Sequence, residues 1–167
     1  MSSKDIDLLI DQGNLLMPQG KYNDALECFD EALKVDPKNV DALRGKGVGL
    51  TRLHNYSEAL QYLDDALKID PKNNDVLHAK GIYFLSLRKY EEALQCYDDA
   101  LKIDPKNLHI MDAKAHVLAI LGKPEKAMSI IKEVMSRSSP DNPYYLATEG
   151  FILYKLGKYD EALAKFD

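Results

Sequence analysis

The sequence predicts an all-α fold built from repeated pairs of antiparallel helices. Three similar strings, KYNDALECFDEALKVDPKN, NYSEALQYLDDALKIDPKN and KYEEALQCYDDALKIDPKN, begin at residues 21, 55 and 89. Their starting points are 34 residues apart, a period that is typical of a solenoid of small helical units. Small and apolar residues within each string recur at helical spacing, and the motif DPKN closes each string. The repeat therefore defines the expected fold.

The second helix of each unit is the most regular part of the repeat. When each unit is numbered from 1 to 34, small or apolar residues occupy repeat positions 20, 24 and 27, which form one helical face. In the first unit they are Ala25, Phe29 and Ala32. The proline of DPKN cannot continue this helix. We expect Asn39 and Asn73 to cap the helices that follow.

The first helix of each unit repeats more loosely, with large apolar residues at repeat positions 4 and 11 and a small residue at position 8. Glycine inside a helix costs about 1 kcal/mol relative to alanine, so its return at position 8 indicates a packing requirement. We expect Gly47 at position 8 and Ala59 at position 20 to let the two helices of a unit approach closely.

The residues at these positions, together with those at positions 17 and 32, resemble the tetratricopeptide (TPR) repeat. The resemblance covers nearly the whole chain and implies one array over residues 1–167, a right-handed superhelical solenoid of antiparallel helix pairs. This sequence departs from the family at position 7, where leucine is usual and Gln12, Lys46, Lys80 and Lys114 occur. We expect the stems of these lysines to lie along the helix seam and their ammonium groups to stay in water. The predicted repeats are residues 6–39, 40–73, 74–107 and 108–142, with a partial fifth over 143–167.

The last two repeats are less regular. Pro124 stands at position 17 of the fourth repeat, where it suits the first turn of a helix. The fifth repeat stops inside its second helix, with Phe166 at position 24. Because each repeat leaves an apolar face for a neighbour to cover, we expect Leu163 and Phe166 to be open. The sequence therefore predicts either a fragment of a longer array or self-association through this end.

Composition argues against several classes of protein. The net charge is −5, from 22 basic and 27 acidic residues with no basic run, so nucleic acid is not an expected partner. No segment approaches 18 apolar residues, and the N-terminus lacks an uninterrupted apolar signal region. We therefore expect a cytoplasmic protein that does not bind a membrane. No cofactor is expected.

The resemblance also implies where a partner binds. In TPR arrays the first helices line a concave inner face, with repeat positions 2, 5, 6, 9, 12 and 13 directed into the groove. In this sequence these positions form an apolar and aromatic strip edged by charges, which suits an extended or helical peptide with apolar anchors. The alternative is that some of these residues only contact the neighbouring first helix. The predicted groove residues are Arg44, Val48, Arg52, His78, Ile82, Leu85, His109, Asp112, His116, Tyr144, Phe151, Tyr154 and Lys155.

The two-carboxylate clamp of this family, which holds the acidic C-terminus of heat-shock chaperones, is absent. The clamp uses lysine, arginine and asparagine at fixed positions of three successive repeats. The first register here has one match in five, and the other two registers have none. Since a carboxylate ligand needs charge-assisted donors, a chaperone tail is not the expected partner. In the first register the residues are Ile10, Asn14, Gly45, Asp75 and Ala79.

His109, Asp112 and His116 lie at i, i+3 and i+7 on one helix, and we expect His78 to lie across from them. The set lacks the pair of imidazoles at i and i+4 that makes a helical zinc site convincing. We therefore interpret it as polar lining of the groove and expect no metal. Because histidine titrates near pH 6.5, the set is also suited to tune peptide affinity.

Catalysis has little support, since no nucleophile stands beside a convincing base and no glycine-rich phosphate loop follows a strand. The sequence predicts a scaffold for protein–protein interaction that binds a peptide or partner protein in the groove without a clamp. The alternative is an N-terminal targeting or oligomerisation arm of a longer protein that carries a catalytic domain. The length of the natural reading frame distinguishes the scaffold from the arm of a longer protein.

Overall fold

The structure is a computed structural model that describes residues 3–139 and 141–165. Within this part of the chain all regular structure is helical, and it contains no β-strand. The predicted all-α fold of consecutive helix pairs is therefore confirmed. The chain divides into two compact units, residues 1–87 and 88–167. A single array over residues 1–167 stays a prediction.

Among the described residues, the first unit contains five α-helices. Its first helix, α1, is followed by a short 3-10 turn, Met17–Gln19. Helix α1 packs on α2, α3 packs on α4, and α3 also contacts α1 and α5. Because three residues join α3 to α4, these two helices run antiparallel. The bounds are α1 Ser3–Leu16, α2 Tyr22–Val35, α3 Val40–Arg52, α4 Tyr56–Ile69 and α5 Asn74–Ser86.

The second unit also contains five α-helices. Helix α7 packs on α6 and α8, while α9 packs on α7, α8 and α10. The odd-numbered helices are the first helices of the repeats and are called A helices, and the even-numbered ones are called B helices. No described helix of either unit is long and apolar enough to span a membrane. The bounds are α6 Tyr90–Ile103, α7 Leu108–Ile120, α8 Pro124–Ser136, α9 Pro143–Lys155 and α10 Tyr159–Leu163.

The apolar stripe predicted on the B helices forms the core. Repeat positions 20, 24 and 27 of α2, α4, α6 and α8 have no exposed surface, so this prediction is confirmed. In the irregular fourth repeat Pro124 is the first residue of α8, as its fixed φ favours. The twelve buried residues are Ala25, Phe29, Ala32, Ala59, Leu63, Ala66, Ala93, Tyr97, Ala100, Ala127, Ile131 and Val134.

Glycine at repeat position 8 allows the close helix packing that was expected. A Cβ atom built on Gly47 would lie 2.6 Å from Cγ of Leu63 and 3.3 Å from the carbonyl oxygen of Ala59. A side chain has no room there, so α3 and α4 approach through the small residues Gly47 and Ala59.

Asparagine side chains begin four of the A helices. The Oδ1 atom of each accepts a hydrogen bond from a backbone N–H in the first turn, which satisfies a donor that has no partner within the helix. Caps at Asn39 and Asn73 are confirmed, and two further asparagines act in the same way. The bonds are Ala42 N to Asn39 3.0 Å, Val76 N to Asn73 3.1 Å, Ile110 N to Asn107 3.2 Å and Tyr144 N to Asn142 3.1 Å.

The lysines at repeat position 7 are ion-paired, and the expectation that the ammonium group stays in water is wrong for the buried Lys46. Lys46 Nζ lies 2.5 Å from Asp30 Oδ1, and it also donates a hydrogen bond of 2.8 Å to the Tyr62 hydroxyl. Only 8% of Lys46 is exposed. The A helix is thereby tied to the B helix of the preceding repeat. The same pair recurs as Lys80 with Asp64 and Lys114 with Asp98, each at 2.6 Å.

Candidate functional site

All thirteen predicted groove residues lie on A helices, and none is fully buried. The structure brings them together in two sets, one in each compact unit. The first A face is formed by α3 and α5, and the second A face by α7 and α9. The first comprises Arg44, Val48, Arg52, His78, Ile82 and Leu85, and the second His109, Asp112, His116, Tyr144, Phe151, Tyr154 and Lys155.

Repeat position 6 was expected to contribute to these faces, but in three of the A helices the residue at this position is buried. Gly45, Ala79 and Thr148 occupy it in α3, α5 and α9, and all three are buried. A Cβ atom built on Gly45 would lie 2.5 Å from the Phe29 ring. In α3, position 6 therefore packs inward against the preceding B helix.

The first A face has an apolar centre. Val48, Ile82 and Leu85 are half-buried, and Val48 packs against the buried cluster of the first unit. Val48 therefore contributes to packing within its own unit. Each of the three still exposes part of its side chain, so a ligand can bury more apolar surface here.

Cationic groups lie beside this apolar centre. The Arg44 side chain is 23% exposed, and its nearest carboxylate is that of Asp41, 3.6 Å from one terminal nitrogen. The Arg44 Nε atom is buried without a hydrogen-bond partner. Arg52 is exposed at the last turn of α3. The first A face therefore combines apolar contact surface with guanidinium donors.

Aromatic rings dominate the second A face. The His116 and Phe151 rings stack with centroids 4.9 Å apart and an interplanar angle of 28°. Lys155 Nζ lies 5.3 Å from the Phe151 ring centroid. Phe151 is half-buried and packs on the buried cluster of its unit, so its ring contributes to the core as well as to this face. Tyr144 and Tyr154 are 75% and 56% exposed.

Polar side chains of α7 and α9 also contact one another. The Tyr145 hydroxyl is 3.3 Å from His109 Nδ1. Burial raises the pKa of Asp112, although a hydrogen bond with Thr148 and the nearby His109 act in the opposite direction. Burial also raises the pKa of Tyr145, and Asp112 adds to this effect. Tyr145 was missed because repeat position 3 packs inward, where Tyr145 is only 3% exposed, although its hydroxyl contacts His109.

The histidines on α7 serve packing and hydrogen bonding. His109 contacts Tyr145, and His116 stacks on Phe151. Burial lowers the pKa of His116. Among the described residues, no group of three or more histidine, cysteine, aspartate and glutamate side chains is placed to hold a metal ion. The polar-lining interpretation of His109, Asp112 and His116 stays a prediction.

Helices α9 and α10 enclose an apolar cleft of about 450 Å³. Phe151, Tyr154, Tyr159, Ala162 and Leu163 line most of it. The rings of Tyr154 and Tyr159 are 5.6 Å apart between centroids, and Tyr159 and Leu163 are 64% and 63% exposed. Phe166, also expected to be open, lies outside the described residues. Self-association through this end stays a prediction.

Comparison with known proteins identifies the repeat. Two family models, both described as tetratricopeptide repeat, match residues 10–74 and 75–107, which together exceed half of the chain. A thermophilic TPR protein of Thermus thermophilus is 23% identical with a TM-score of 0.87, and the alignment covers 96% of this chain and 87% of that one. No curated protein sequence matches.

Other solved structures share the fold. Pseudomonas aeruginosa pilF is 23% identical with a TM-score of 0.80, over 97% of this chain and 73% of that one. MamA is 19% identical with a TM-score of 0.68, over 92% and 90% of the two chains. At these identities the likeness shows the fold alone.

Proposed function

The chain belongs to the tetratricopeptide-repeat family, and we propose that it is a non-catalytic scaffold whose A faces bind a peptide segment of a partner protein. Family membership supports a general role in protein–protein interaction. Binding on the A faces rests on one observation. In each compact unit, neighbouring A helices leave apolar or aromatic side chains partly exposed beside charged groups.

On the first A face, the ligand chemistry follows from Val48, Ile82 and Leu85. Covering their exposed surface contributes about 25 cal/mol per Å² of apolar area removed from water. Arg44 and Arg52 add donors for backbone carbonyls or an acidic side chain of the ligand. We therefore propose a peptide with apolar anchors and an acceptor beside them.

On the second A face, Tyr144 and Tyr154 supply rigid contact area with little loss of side-chain freedom, and their hydroxyls add polar contacts. Lys155 is exposed beside Phe151. We propose that this face takes an aromatic or aliphatic anchor of the partner.

The proposal is tested by affinity capture of partners from a lysate of the source organism, with identification by mass spectrometry. The dissociation constant of the captured partner is then measured with Ile82→Asp and with Tyr154→Ala. Ile69→Asp is the matched control, because Ile69 is 42% exposed and lies on α4, a B helix.

We expect at least one A-face variant to weaken binding by about tenfold or more, which corresponds to about 1.4 kcal/mol. The control should bind like the unmodified protein. Thermal midpoints of all three variants identify any loss that comes from unfolding. Normal binding by both folded A-face variants would refute the proposal.

A further inference from the structure

Helix α8 carries a charge opposite to that of the other long B helices. In the segments that contain α2, α4 and α6, acidic residues outnumber basic ones by two, whereas the corresponding segment of α8 has four basic and two acidic residues. Lys126 and Lys132 occupy repeat positions 19 and 25, where the three earlier repeats have an aspartate or a glutamate. Helix α8 is therefore basic where its counterparts are acidic. The segments compared are 21–35, 55–69, 89–103 and 123–137.

A cleft of about 460 Å³, the α8 cleft, lies between side chains of α6, α7 and the start of α8. Of the eight described residues that line it, Lys114, Lys123 and Lys126 are basic and Asp98 is acidic. Lys114 is paired with Asp98 at 2.6 Å. Lys123 and Lys126 are exposed, and within the described part of the chain neither forms an ion pair with a carboxylate. The α8 cleft thus offers two cationic groups to a ligand.

Apolar side chains form most of the remaining lining of the α8 cleft. Leu118 is 6% exposed and belongs to the buried cluster of the second unit. Leu94 and Ile130 are half-buried against the same cluster, and the exposed Ser129 adds a hydroxyl. A ligand can therefore remove apolar surface of Leu94 and Ile130 from water while its charges contact the lysines.

Two other clefts beside B helices do not share this charge. The cleft lined by residues of α1 and α2 has Glu27, Asp30 and Glu31 beside Lys34, so acidic groups predominate. The cleft lined by residues of α2, α3 and α4 has two lysines and two aspartates. An acidic ligand is repelled by the first of these clefts and gains no net attraction at the second, whereas the α8 cleft attracts it.

From these observations we propose that the α8 cleft binds an acidic segment of a partner protein, with an apolar side chain of that segment against Leu94 and Ile130. The apolar lining favours a peptide over a nucleic acid, because nucleic-acid binding depends on cations that neutralise a series of phosphates. The residues that line the cleft belong to neither A face, so this site goes beyond the peptide binding proposed for those faces.

The strength of this contact should depend on salt. Exposed ion pairs each contribute little, so the carboxylates of the ligand and its apolar side chain must act together. Because the Debye length falls from about 10 Å at 0.1 M salt to about 3 Å at 1 M, added salt should weaken binding at the exposed Lys123 and Lys126.

Fluorescence anisotropy with a defined probe tests the proposal. The probe is a labelled peptide rich in glutamate and serine with leucine near its centre, and the matched probe has glutamine in place of each glutamate. The test variant carries Lys123→Glu with Lys126→Glu. The charge-matched control carries Lys34→Glu with Lys68→Glu, whose side chains are 69% and 75% exposed on α2 and α4. Thermal midpoints confirm that both variants are folded.

The unmodified protein should bind the glutamate probe and should bind the glutamine probe about tenfold more weakly or worse. The Lys123 and Lys126 variant should lose about tenfold or more in affinity for the glutamate probe, whereas the charge-matched control should lose less than about twofold. Ser129→Lys adds a cation at an exposed position of the α8 cleft and should strengthen binding.

Four results would overturn the proposal. The first is no binding of the glutamate probe at protein concentrations up to about 1 mM. The second is an equal loss in the two charge-matched variants, which would show a general attraction rather than a site at α8. The third is a single-stranded RNA of the same charge that binds the unmodified protein more tightly than the peptide and loses this binding in the Lys123 and Lys126 variant. The fourth is loss of probe binding in Ile82→Asp or Tyr154→Ala, which would place the peptide on an A face.

The two proposals fail separately. Normal partner binding by Ile82→Asp and Tyr154→Ala would refute binding on the A faces and leave the α8 cleft untouched. A glutamate probe that does not bind would refute the α8 site and has no bearing on partner binding by the A faces.

Discussion

Lys46 on α3 forms an ion pair with Asp30 on α2, with 2.5 Å between Nζ and Oδ1, and so links two consecutive repeats. Burial alone would lower the pKa of Lys46, but hydrogen bonds to Asp30 and Tyr62 outweigh it and raise the pKa. A lysine at repeat position 7 is thereby accommodated where the family usually has leucine.

Asp30→Ala should destabilise the first unit, because it leaves the 8%-exposed Lys46 without its carboxylate. The Asp30 side chain is 47% exposed, so solvent screens the pair and we expect a loss of about 1 kcal/mol in the free energy of unfolding. Urea denaturation measures it. Asp65→Ala breaks the more exposed Lys68 pair and should have almost no effect. Equal losses in the two variants would contradict this account.

The protein should lose stability as the pH falls below 6.5, in part because burial lowers the pKa of His116. The unfolded chain binds this proton at a higher pH than the folded chain, so protonation favours unfolding in that range. His116→Phe keeps a ring against Phe151 and should reduce the loss between pH 7 and 5.5. Urea midpoints at the two pH values measure it. If His116→Phe loses as much stability between pH 7 and pH 5.5 as the unmodified protein does, His116 is not responsible for the loss.

Asp112→Asn should stabilise the second unit at pH 7. Burial raises the pKa of Asp112, and its Oδ1 atom is buried without a hydrogen-bond partner, so the folded state disfavours the charged form. The gain in the free energy of unfolding should shrink as the pH falls toward 3.8, because protonation of Asp112 in the unmodified protein removes the same buried charge. Urea unfolding at pH 7 and pH 4 tests this, with the exposed Asp75→Asn as control. A loss of stability at pH 7 would refute it.

Ala59→Leu should destabilise the first unit by about 1–3 kcal/mol, because Ala59 is fully buried where α4 packs against Gly47 of α3. Thermal unfolding measures the loss. Ala147→Leu makes the same change at an exposed position of α9 and should be nearly neutral. A neutral Ala59→Leu would show that the assumed repeat register is wrong.

Phe151→Ala should weaken both stability and partner binding, because this side chain packs on the buried cluster and also lies on the second A face. Removal of a buried phenylalanine costs about 3–5 kcal/mol, and the half-buried Phe151 should cost less. Tyr144→Ala, at a residue 75% exposed, should weaken binding and leave the thermal midpoint unchanged. If both variants lost only stability, the face would have no binding role.

Much of the fold was predictable because the 34-residue period fixes the register of every B helix. Once Ala25, Phe29 and Ala32 define the stripe, the same positions follow in the second, third and fourth repeats, where all of them are buried. The ion pairs were missed because Lys46 and Asp30 lie 16 residues apart on different repeats. The lysine recurs at position 7 and the aspartate at position 25. This signal is visible only when successive repeats are compared.

The sequence predicted which helix positions form the candidate site. It did not predict how deeply each of these side chains is buried. Phe151 and Val48 are partly covered by neighbouring side chains, and such packing between repeats is not encoded in the spacing within one helix. Tyr145 was missed for the same reason, since a buried ring can still bring its hydroxyl to a side chain of the candidate site, here His109.

Site-specific photocrosslinking tests the central claim, binding of a partner on the A faces, most directly. A photoreactive phenylalanine analogue is placed at Arg52 or Tyr154 on the A faces and, as controls, at Val35 or Ile103 on B helices, which are 40% and 42% exposed. Irradiation in a lysate of the source organism is followed by mass spectrometry of covalent adducts. The account predicts a shared partner adduct from the A-face positions and none from the B-helix positions. Adducts only at Val35 or Ile103 would contradict it.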